Sequence, residues 1–378
     1  MAVSASDELR HRPSSPTTGS WRESFWWYFA DRTNQITGHV YTWITHGGET
    51  GMHVIIQKGV VERPLDIIDV AMASPNHVYR QEDGAWVYAY RTSVPDEIPD
   101  DLDDYNFAGL RVVRTEPLKS VEFTFRDEFG NGFEIAGMYT MPPYSYADGP
   151  RPVPEYFADN RYHRSWEANG TVTVGDQTFE VLAAPGDSDH SWGTRDSGMM
   201  AWVHDRMWAF QKSDGSASVH VLEQGDGYFL GYVNLDGKVS GVDVVEYSCD
   251  YSETGLFSNE KLKVTDVEGR TVSAYLDRMY AVQANGGRMC GFEVGWGYQG
   301  VGTYQVDGWG ECEGISVEAF SAGTTPEELY AGTYLRTPWD PQAYSRDPAA
   351  YRRDVEENQK TGYLKTTTED GYVQISSK

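Results

Sequence analysis

The chain of 378 residues lacks several features by which common protein classes are recognised from sequence. It has only three cysteines, Cys249, Cys290 and Cys312, an odd number without metal-ligand spacing, so neither a disulfide framework nor a zinc site is indicated. No apolar run approaches the roughly 20 residues that a membrane-spanning helix needs. Residues 1–20 also lack the apolar core of a signal peptide. We therefore expect a cytoplasmic protein without a membrane span.

Basic side chains are scarce as well, because 31 Lys and Arg residues face 57 Asp and Glu residues and leave a formal net charge of −26. This charge would repel nucleic-acid phosphates and anionic lipids, so no such partner is expected. The sequence has no Gly-x-Ser-x-Gly elbow, no P-loop, and no Gly-x-Gly-x-x-Gly that opens a helix after a strand. Hydride transfer, phosphoryl transfer and zinc hydrolysis are therefore disfavoured, and neither a cofactor nor a metal is expected.

What the sequence does contain is a succession of short runs in which apolar and polar residues alternate, interrupted by glycine turns. This pattern is typical of half-buried antiparallel strands joined in hairpins. Pairs such as Gly47-Gly48 and Asp236-Gly237 accept the positive φ angles of tight turns. Hairpins are predicted over residues 40–58, 121–135, 171–182, 229–239 and 262–276. Evenly spaced strands with few helical stretches between them favour a barrel or a sandwich over a βαβ architecture.

The chain is longer than a single hydrophobic core usually grows, so two packed units are expected. Helix signals are concentrated near the C-terminus, where residues 325–328 supply an N-cap and a capping-box Glu, and Asp347-Pro348 opens a helix towards Gly362. This tail either packs on a barrel wall or mediates homo-oligomerisation. The expected organisation is a flexible N-terminus over residues 1–19, β units over 20–185 and 186–320, and a partly helical tail over 321–378.

Two segments carry a resemblance to a known family. Residues 21–31, WRESFWWYFAD, and residues 189–196, DHSWGTRD, resemble the superfamily of carotenoid hydratase (hydroxyneurosporene synthase) and related lipocalin-like proteins. Asp189, Trp192 and Gly193 match its Asp-x-x-Trp-Gly pattern, and the resemblance covers roughly residues 20–315. It implies an all-β fold of two consecutive lipocalin-like antiparallel barrels. It also implies cofactor-free hydration, cyclisation or pericyclic chemistry on hydrophobic substrates, often isoprenoids or polyketides.

Such chemistry needs a proton donor and walls that stabilise a cation-like centre. A buried carboxyl has a raised pKa and stays protonated, while aromatic faces stabilise positive charge. Residues 186–196 concentrate these groups, and the catalytic candidates within them are Asp189, His190, Trp192, Arg195 and Asp196.

The backbone conformation of this segment decides which of its side chains meet a ligand. In an extended segment, His190 and Trp192 share one face, and Asp189 and Ser191 lie on the other. Only one of these pairs can then face a cavity. In a turn, Asp189 and His190 could both reach inward. Arg195 would pair with Asp196 or with a substrate oxygen. The alternative to catalysis is a network of arginine, carboxylates and tryptophan that joins the two halves.

Further candidates lie near this segment or on aromatic strands. They could bind substrate, although core packing or surface exposure also explains each of them. These substrate-binding candidates are His163, Trp166, Glu167, Trp202, His204, Tyr139 and Tyr28.

Three functions are compatible with these features. The first is a cofactor-independent lyase or isomerase, that is a hydratase, dehydratase or cyclase, acting on a hydrophobic small molecule between or inside the barrels. The second is a non-catalytic carrier of a hydrophobic ligand, because lipocalin-like barrels hold such ligands without reacting them. The third is a carbohydrate-active protein, which would require two carboxyls facing each other across an open groove.

Overall fold

Antiparallel strands form almost all of the regular structure in the computed structural model. It describes residues 3–13, 21–45, 49–60, 77–82, 84–95, 100–107, 109–196, 205–225, 227–251, 257–286, 296–319, 341–351, 353, 363–367 and 373–377. Among these residues, no helix has the length and apolar character needed to cross a bilayer.

The first twelve strands form one sheet, which we call the first sheet. They are β1 (Trp21–Asp31), β2 (Ile36–Thr45), β3 (Glu49–Lys58), β4 (His77–Glu82), β5 (Ala85–Pro95), β6 (Asp104–Phe107), β7 (Leu110–Glu116), β8 (Ser120–Arg126), β9 (Gly132–Tyr139), β10 (Tyr144–Ser145), β11 (Asn160–Val174) and β12 (Gln177–Thr194). Their order is β4-β5-β3-β2-β1-β12-β11-β9-β8-β7-β6, with β10 paired to β11. Short 3₁₀ turns occupy Ala5–Glu8 and Tyr146–Asp148.

The next eight strands close into a barrel in which sequence neighbours pair and the last strand returns to the first. They are β13 (Asp205–Lys212), β14 (Ala217–Gln224), β15 (Phe229–Leu235), β16 (Lys238–Tyr251), β17 (Phe257–Asp266), β18 (Thr271–Gly286), β19 (Trp296–Val306) and β20 (Gly310–Ala319). The predicted all-β architecture of two lipocalin-like units is therefore confirmed. The second unit is a closed barrel, whereas the pairing path of the first is open among the described residues.

All five predicted hairpins are present as antiparallel pairs: β2 with β3, β8 with β9, β11 with β12, β15 with β16, and β17 with β18. The turn chemistry accounts for them. Asp236 and Gly237 have φ angles of 51° and 78°, which a two-residue hairpin turn requires. The predicted turn at Gly47-Gly48 lies outside the described residues, although the two strands that it would join are paired.

The C-terminal tail contains both helix and strand. Helix α1 spans Pro341–Arg346, and residues 348–351 are helical after Asp347, whose Oδ1 accepts the N–H of Ala350 at 3.0 Å. This bond is the N-cap interaction that the Asp347-Pro348 signal predicts. Strands β21 (Tyr363–Thr367) and β22 (Val373–Ser377) also pair here and were not expected from the sequence. The predicted cap at residues 325–328 lies outside the described residues.

Strand β1 is buried along its whole length, because its two faces belong to different cores. Phe25, Trp27 and Phe29 fill the interior of the first sheet, which is packed with aromatic and aliphatic side chains. Trp26 and Tyr28 face the outside of the barrel and form a separate core with its strands. The barrel interior is a third core. The aromatic run of residues 21–31 is therefore what a strand shared between two cores requires.

Candidate functional site

Strand β12 continues through the polar segment that the sequence singles out, and it is extended there. Asp187, Asp189 and Ser191 pair across β1 with Tyr28, Trp26 and Ser24 and share the face that meets the barrel. His190 pairs with Phe25 and shares the face that closes the interior of the first sheet. Because side chains of paired residues lie on the same side of a sheet, the segment divides into two chemical groups, one on each face.

The group on the barrel side is a fully buried hydrogen-bond network around Asp187. Its Oδ2 accepts the hydroxyl of Tyr232 from the barrel at 2.7 Å, and its Oδ1 lies 2.8 Å from His163 Nδ1. Arg161 Nε donates to His163 Nε2 at 2.8 Å, so a neutral His163 carries its proton on Nδ1 and donates it to Asp187. Burial, together with the charge of Arg161, lowers the pKa of His163, which keeps the ring neutral.

His220 of the barrel completes this network. Its ring lies 3.9 Å from that of His163, and its Nδ1 is 3.5 Å from Asp187 Oδ1. Burial raises the pKa of Asp187 well above the ordinary carboxyl range and lowers that of His220. The network joins the two units through the carboxyl of Asp187. A network that joins the two halves was the alternative to catalysis for this segment.

The group on the opposite face binds the N-terminal segment. His190 Nε2 and His11 Nδ1 both contact Oε1 of the fully buried Glu23, at 2.7 and 2.9 Å. Burial would raise the pKa of Glu23, but its hydrogen bonds with the two histidines lower it, so the carboxylate is ionised. Trp192 stacks on His11 with ring centroids 3.7 Å apart. His190 and Trp192 therefore hold the N-terminus rather than line a space.

A cavity of about 180 Å³ lies between the first sheet and the outside of the barrel. Its apolar lining comes from both units, and the aromatic part is supplied by the first one. The apolar and aromatic lining side chains are Trp26, Tyr41, Phe157, Met207, Leu222 and Val317. Pockets for hydrophobic small molecules have this composition, with a few polar groups that fix orientation.

The first-sheet wall of the cavity carries Asp189 and two arginines. Asp189 Oδ2 is 3.2 Å from Arg161 Nε. Burial raises the pKa of Asp189, although Arg161 and Arg195 act in the opposite direction. The Nη2 of Arg195 donates to Ser191 Oγ at 3.1 Å rather than to the carboxyl of its neighbour Asp196. Asp189 and Arg195 are thus the two catalytic candidates that the structure places at the cavity.

The barrel wall carries Asp205, the first residue of β13, beside its cross-strand partner Gln224. Burial raises the pKa of Asp205 to about 8, so its carboxyl is protonated at neutral pH. Its Oδ1 and the Nε2 atoms of Gln224 and Gln299 are buried and make no hydrogen bond of standard geometry among the described residues, although the Gln224 side chain and the Gly225 backbone lie close enough to Asp205 to oppose the effect of burial on its pKa. Gln224 Oε1 accepts the hydroxyl of Tyr156 at 2.8 Å, which turns the amide nitrogen away from that tyrosine. Unpartnered buried polar atoms are costly, and a ligand would satisfy them.

A family model described as a domain of unknown function, DUF7064, matches residues 76–310, which is more than half of the chain. The chain belongs to the DUF7064 family. None of the curated protein sequences is significantly similar to this DUF7064 protein.

Solved structures with the same fold are distant in sequence. An AttH-type protein of Nitrosomonas europaea has a TM-score of 0.50 at 12% identity, covering 79% of this chain and 92% of that one. CghA with Sch210972 has a TM-score of 0.50 at 13% identity, covering 79% and 88%. Kievitone hydratase of Nectria haematococca has a TM-score of 0.46 at 8% identity, covering 85% and 93%. The first two confirm the fold expected from the resemblance to carotenoid hydratase-like proteins.

The other predicted residues of the DUF7064 protein have structural contacts. Tyr28 donates its hydroxyl to the carbonyl of Ala209 at 3.0 Å, which joins the two units. Trp166 donates to the carbonyl of Tyr28 at 2.7 Å, and Tyr139 accepts the indole N–H of Trp27 at 3.1 Å.

Of the remaining predicted residues, one lies away from these contacts and two lie outside the described part of the chain. The half-buried Glu167 accepts from Asn169 at 3.3 Å. Trp202 and His204 lie outside the described residues.

Two groups of three side chains have the composition of a metal site: His11, Glu23 and His190, and the buried set around Asp187. In the second group, a metal on His163 Nδ1 would require a proton on Nε2, where Arg161 already donates. In the first group, hydrogen bonds satisfy both histidines and the carboxylate. Neither arrangement needs a metal to account for its contacts.

Sequence reasoning overlooked the barrel wall and Arg161. Arg161 lies two residues before His163, so period-2 alternation along β11 places both on one face, and that signal was available. Asp205 alternates with Met207 in the same way. Nothing in the local sequence shows that the outside of the barrel is covered by another sheet, and this covering is what buries the Oδ1 of Asp205.

Proposed function

We propose that this protein is an acid–base enzyme of the hydratase, dehydratase or cyclase type, acting on a hydrophobic small molecule in the cavity between its two units. The observation that carries the proposal is Asp205, a carboxyl on the cavity wall whose pKa burial raises to about 8 and whose Oδ1 is buried without a hydrogen bond of standard geometry among the described residues. A carboxyl that stays protonated at neutral pH can donate its proton to a substrate as a general acid.

The proposed reaction begins with transfer of the Asp205 proton to an alkene carbon, a carbonyl oxygen or a departing hydroxyl. The cationic centre that develops meets the faces of Trp26 and Tyr41, which each stabilise positive charge by about 0.5 to 2 kcal/mol. Asp189 on the opposite wall receives the proton that water, or a carbon next to the cation, must lose. Proton exchange with solvent then restores both carboxyls, so the cycle needs no redox partner.

The shape and lining of the cavity support an apolar, isoprenoid-like or polyketide-like substrate. Met207, Leu222 and Val317 form an aliphatic barrel wall opposite the aromatic one. The amide nitrogens of Gln224 and Gln299 are positioned to donate to a substrate oxygen or to the reacting water. CghA, which shares the fold, was solved with Sch210972. The fold itself hosts more than one function, so the proposal depends on the carboxyls of this chain.

The proposal is tested by incubating the purified protein with a lipid extract in H₂¹⁸O or D₂O and comparing product masses. The wild type should produce species with ¹⁸O or with carbon-bound deuterium that Asp205→Asn does not produce. Asp243→Asn, at an exposed position, is the matched control and should behave like the wild type. Equal label incorporation by the wild type and Asp205→Asn would overturn the proposal, and so would an absence of labelled products with the wild type. In the latter case the carrier function would be favoured.

A further inference from the structure

Arg195 is a cation on the cavity wall whose contacts are all uncharged. Its Nη2 lies 3.1 Å from Ser191 Oγ and 3.5 Å from Ser24 Oγ, and its guanidinium lies 5.6 Å from the ring centroid of Phe157. No carboxylate of the described residues lies within ion-pair distance of it. A charge that is partly buried without a counter-ion in contact is unfavourable, and loss of solvation, with the charges of Arg22 and Arg161, lowers the pKa of Arg195 to about 10.

The other charges at the cavity compensate Arg195 only in part, through Asp189. Asp189 is engaged by Arg161 at 3.2 Å, so one carboxyl faces two guanidinium groups. Arg206, the third arginine of the lining, makes two hydrogen bonds of 2.9 and 2.6 Å to Glu318 and is neutralised there. At neutral pH the first-sheet wall therefore keeps an excess positive charge at Arg195, in a protein whose overall charge is −26.

Two hydroxyls beside Arg195 complete a site for an anionic oxygen. Ser24 Oγ and Ser191 Oγ are 3.1 Å apart, and the Ser191 hydroxyl also bonds Asp189, whose pKa it lowers, so the Ser24 hydroxyl is the one that can turn from Ser191 to a ligand. Both serines are buried and line the cavity. A planar guanidinium with an adjacent hydroxyl donor matches the two oxygens of a carboxylate.

We propose that the first-sheet wall binds the carboxylate of an amphipathic organic acid, with its apolar body against Trp26 and Leu222. The inference rests on the cavity of the proposed function but not on the acid–base step, because a carrier would use the same contacts. A single negative charge fits better than a phosphate dianion, since Asp189 lies on the same wall and repels a second charge. The ligand of this cavity is then an organic acid rather than a neutral hydrocarbon.

The test uses matched acids and alcohols as probes: octanoate with octan-1-ol, and cinnamate with cinnamyl alcohol, each titrated calorimetrically into the full chain. At least one acid should bind the wild type roughly ten- to a hundred-fold more tightly than its alcohol. Arg195→Met should lose this preference and keep the affinity for the alcohol, and Ser191→Ala should lose part of it. Arg111→Met, at an exposed ion pair outside the cavity, is the control.

Equal affinity for acid and alcohol, a preference that persists in Arg195→Met, or no binding of either acid would each overturn the inference. Urea unfolding of Arg195→Met establishes whether the variant is folded. If it is not, the partial loss of acid preference expected for Ser191→Ala tests the inference instead. Asp205→Asn separates the two proposals. If that variant turns over substrate like the wild type while the acid preference follows Arg195, only the acid–base function fails. If the preference is absent while labelled products still depend on Asp205, only the carboxylate site fails.

Discussion

Asp189 and His190 are adjacent in sequence, yet their side chains lie on opposite faces of β12 and belong to different parts of the molecule. Asp189 pairs with Trp26 and lines the cavity between the units. His190 pairs with Phe25 and binds the buried Glu23 inside the first sheet. Substitutions at the two positions should therefore have separable effects.

His190→Ala should lower the free energy of unfolding by about 2 to 3 kcal/mol, because it removes a charge-assisted hydrogen bond to a buried carboxylate. Turnover per folded molecule should stay at the wild-type level. Asp189→Asn should reduce turnover at least about tenfold, since it removes the proposed proton acceptor. Urea unfolding and initial rates on the same preparations measure both effects. A His190→Ala protein that is stable but inactive would contradict this division.

The raised pKa of Asp205 predicts a pH dependence of both stability and rate. Its carboxyl is protonated in the folded state up to a pKa of about 8, whereas it ionises near 3.8 when exposed. The folded state therefore binds this proton more tightly than the unfolded state does. The contribution of Asp205 to the free energy of unfolding is fully present below pH 4, and it is lost as the pH rises towards 8, at up to ~1.4 kcal/mol per pH unit.

Asp205→Asn should consequently match the wild type at pH 4 and be more stable than it at pH 8.5, as measured by urea unfolding. Turnover by the wild type should fall above about pH 8, where the acid is deprotonated. A wild type that gains stability relative to Asp205→Asn as the pH rises would show that Asp205 is ionised in the folded state.

Tyr232→Phe tests the network that joins the barrel to the first sheet. The lost hydroxyl lies 2.7 Å from Asp187 Oδ2 and 2.8 Å from Ser165 Oγ, and all three groups are buried. The expected loss of unfolding free energy is about 1 to 3 kcal/mol. Tyr228→Phe is the matched control, because its hydroxyl bonds the carbonyl of Pro152 at an exposed position and should contribute less than about 1 kcal/mol. Equal effects of the two substitutions would contradict the role given to Asp187.

Glu8→Gln tests the attachment of the N-terminal segment. Glu8 is buried, pairs with Arg164, and lies 3.7 Å from Arg114. Burial would raise the pKa of Glu8, but the two arginines lower it, so the substitution leaves two buried cations unpaired and should cost about 3 to 5 kcal/mol. The control Asp100→Asn removes an exposed pair with Arg12 and should cost less than about 1 kcal/mol. Chemical denaturation of both variants checks this difference.

Local turn chemistry explains why so much of the fold could be predicted. Gly237 and Gly269, whose φ angles are 78° and 79°, close hairpins between strands that are neighbours in sequence, and alternation determines which side chains share a face. The same alternation correctly separates Asp189 from His190 once the segment is extended.

Contacts that join distant parts of the chain could not be obtained in this way. Trp192 is explained by His11, about 180 residues earlier, and Asp205 by the first sheet that covers the barrel. The helical residues 348–351 followed from the cap at Asp347, whereas helix α1 before it was not predicted, and the pairing of β21 with β22 was missed although the turn pair Asp370-Gly371 stands between them in the sequence.

The most direct test of the central claim is native mass spectrometry of ligands captured from a lipid extract by the wild type and by Asp205→Asn, followed by release and fragmentation. The account predicts that Asp205→Asn retains an organic acid that the wild type releases as an isomer or with one water molecule gained or lost. If both proteins retain the same compound unchanged, the cavity binds a ligand without transforming it, and the enzymatic account is wrong.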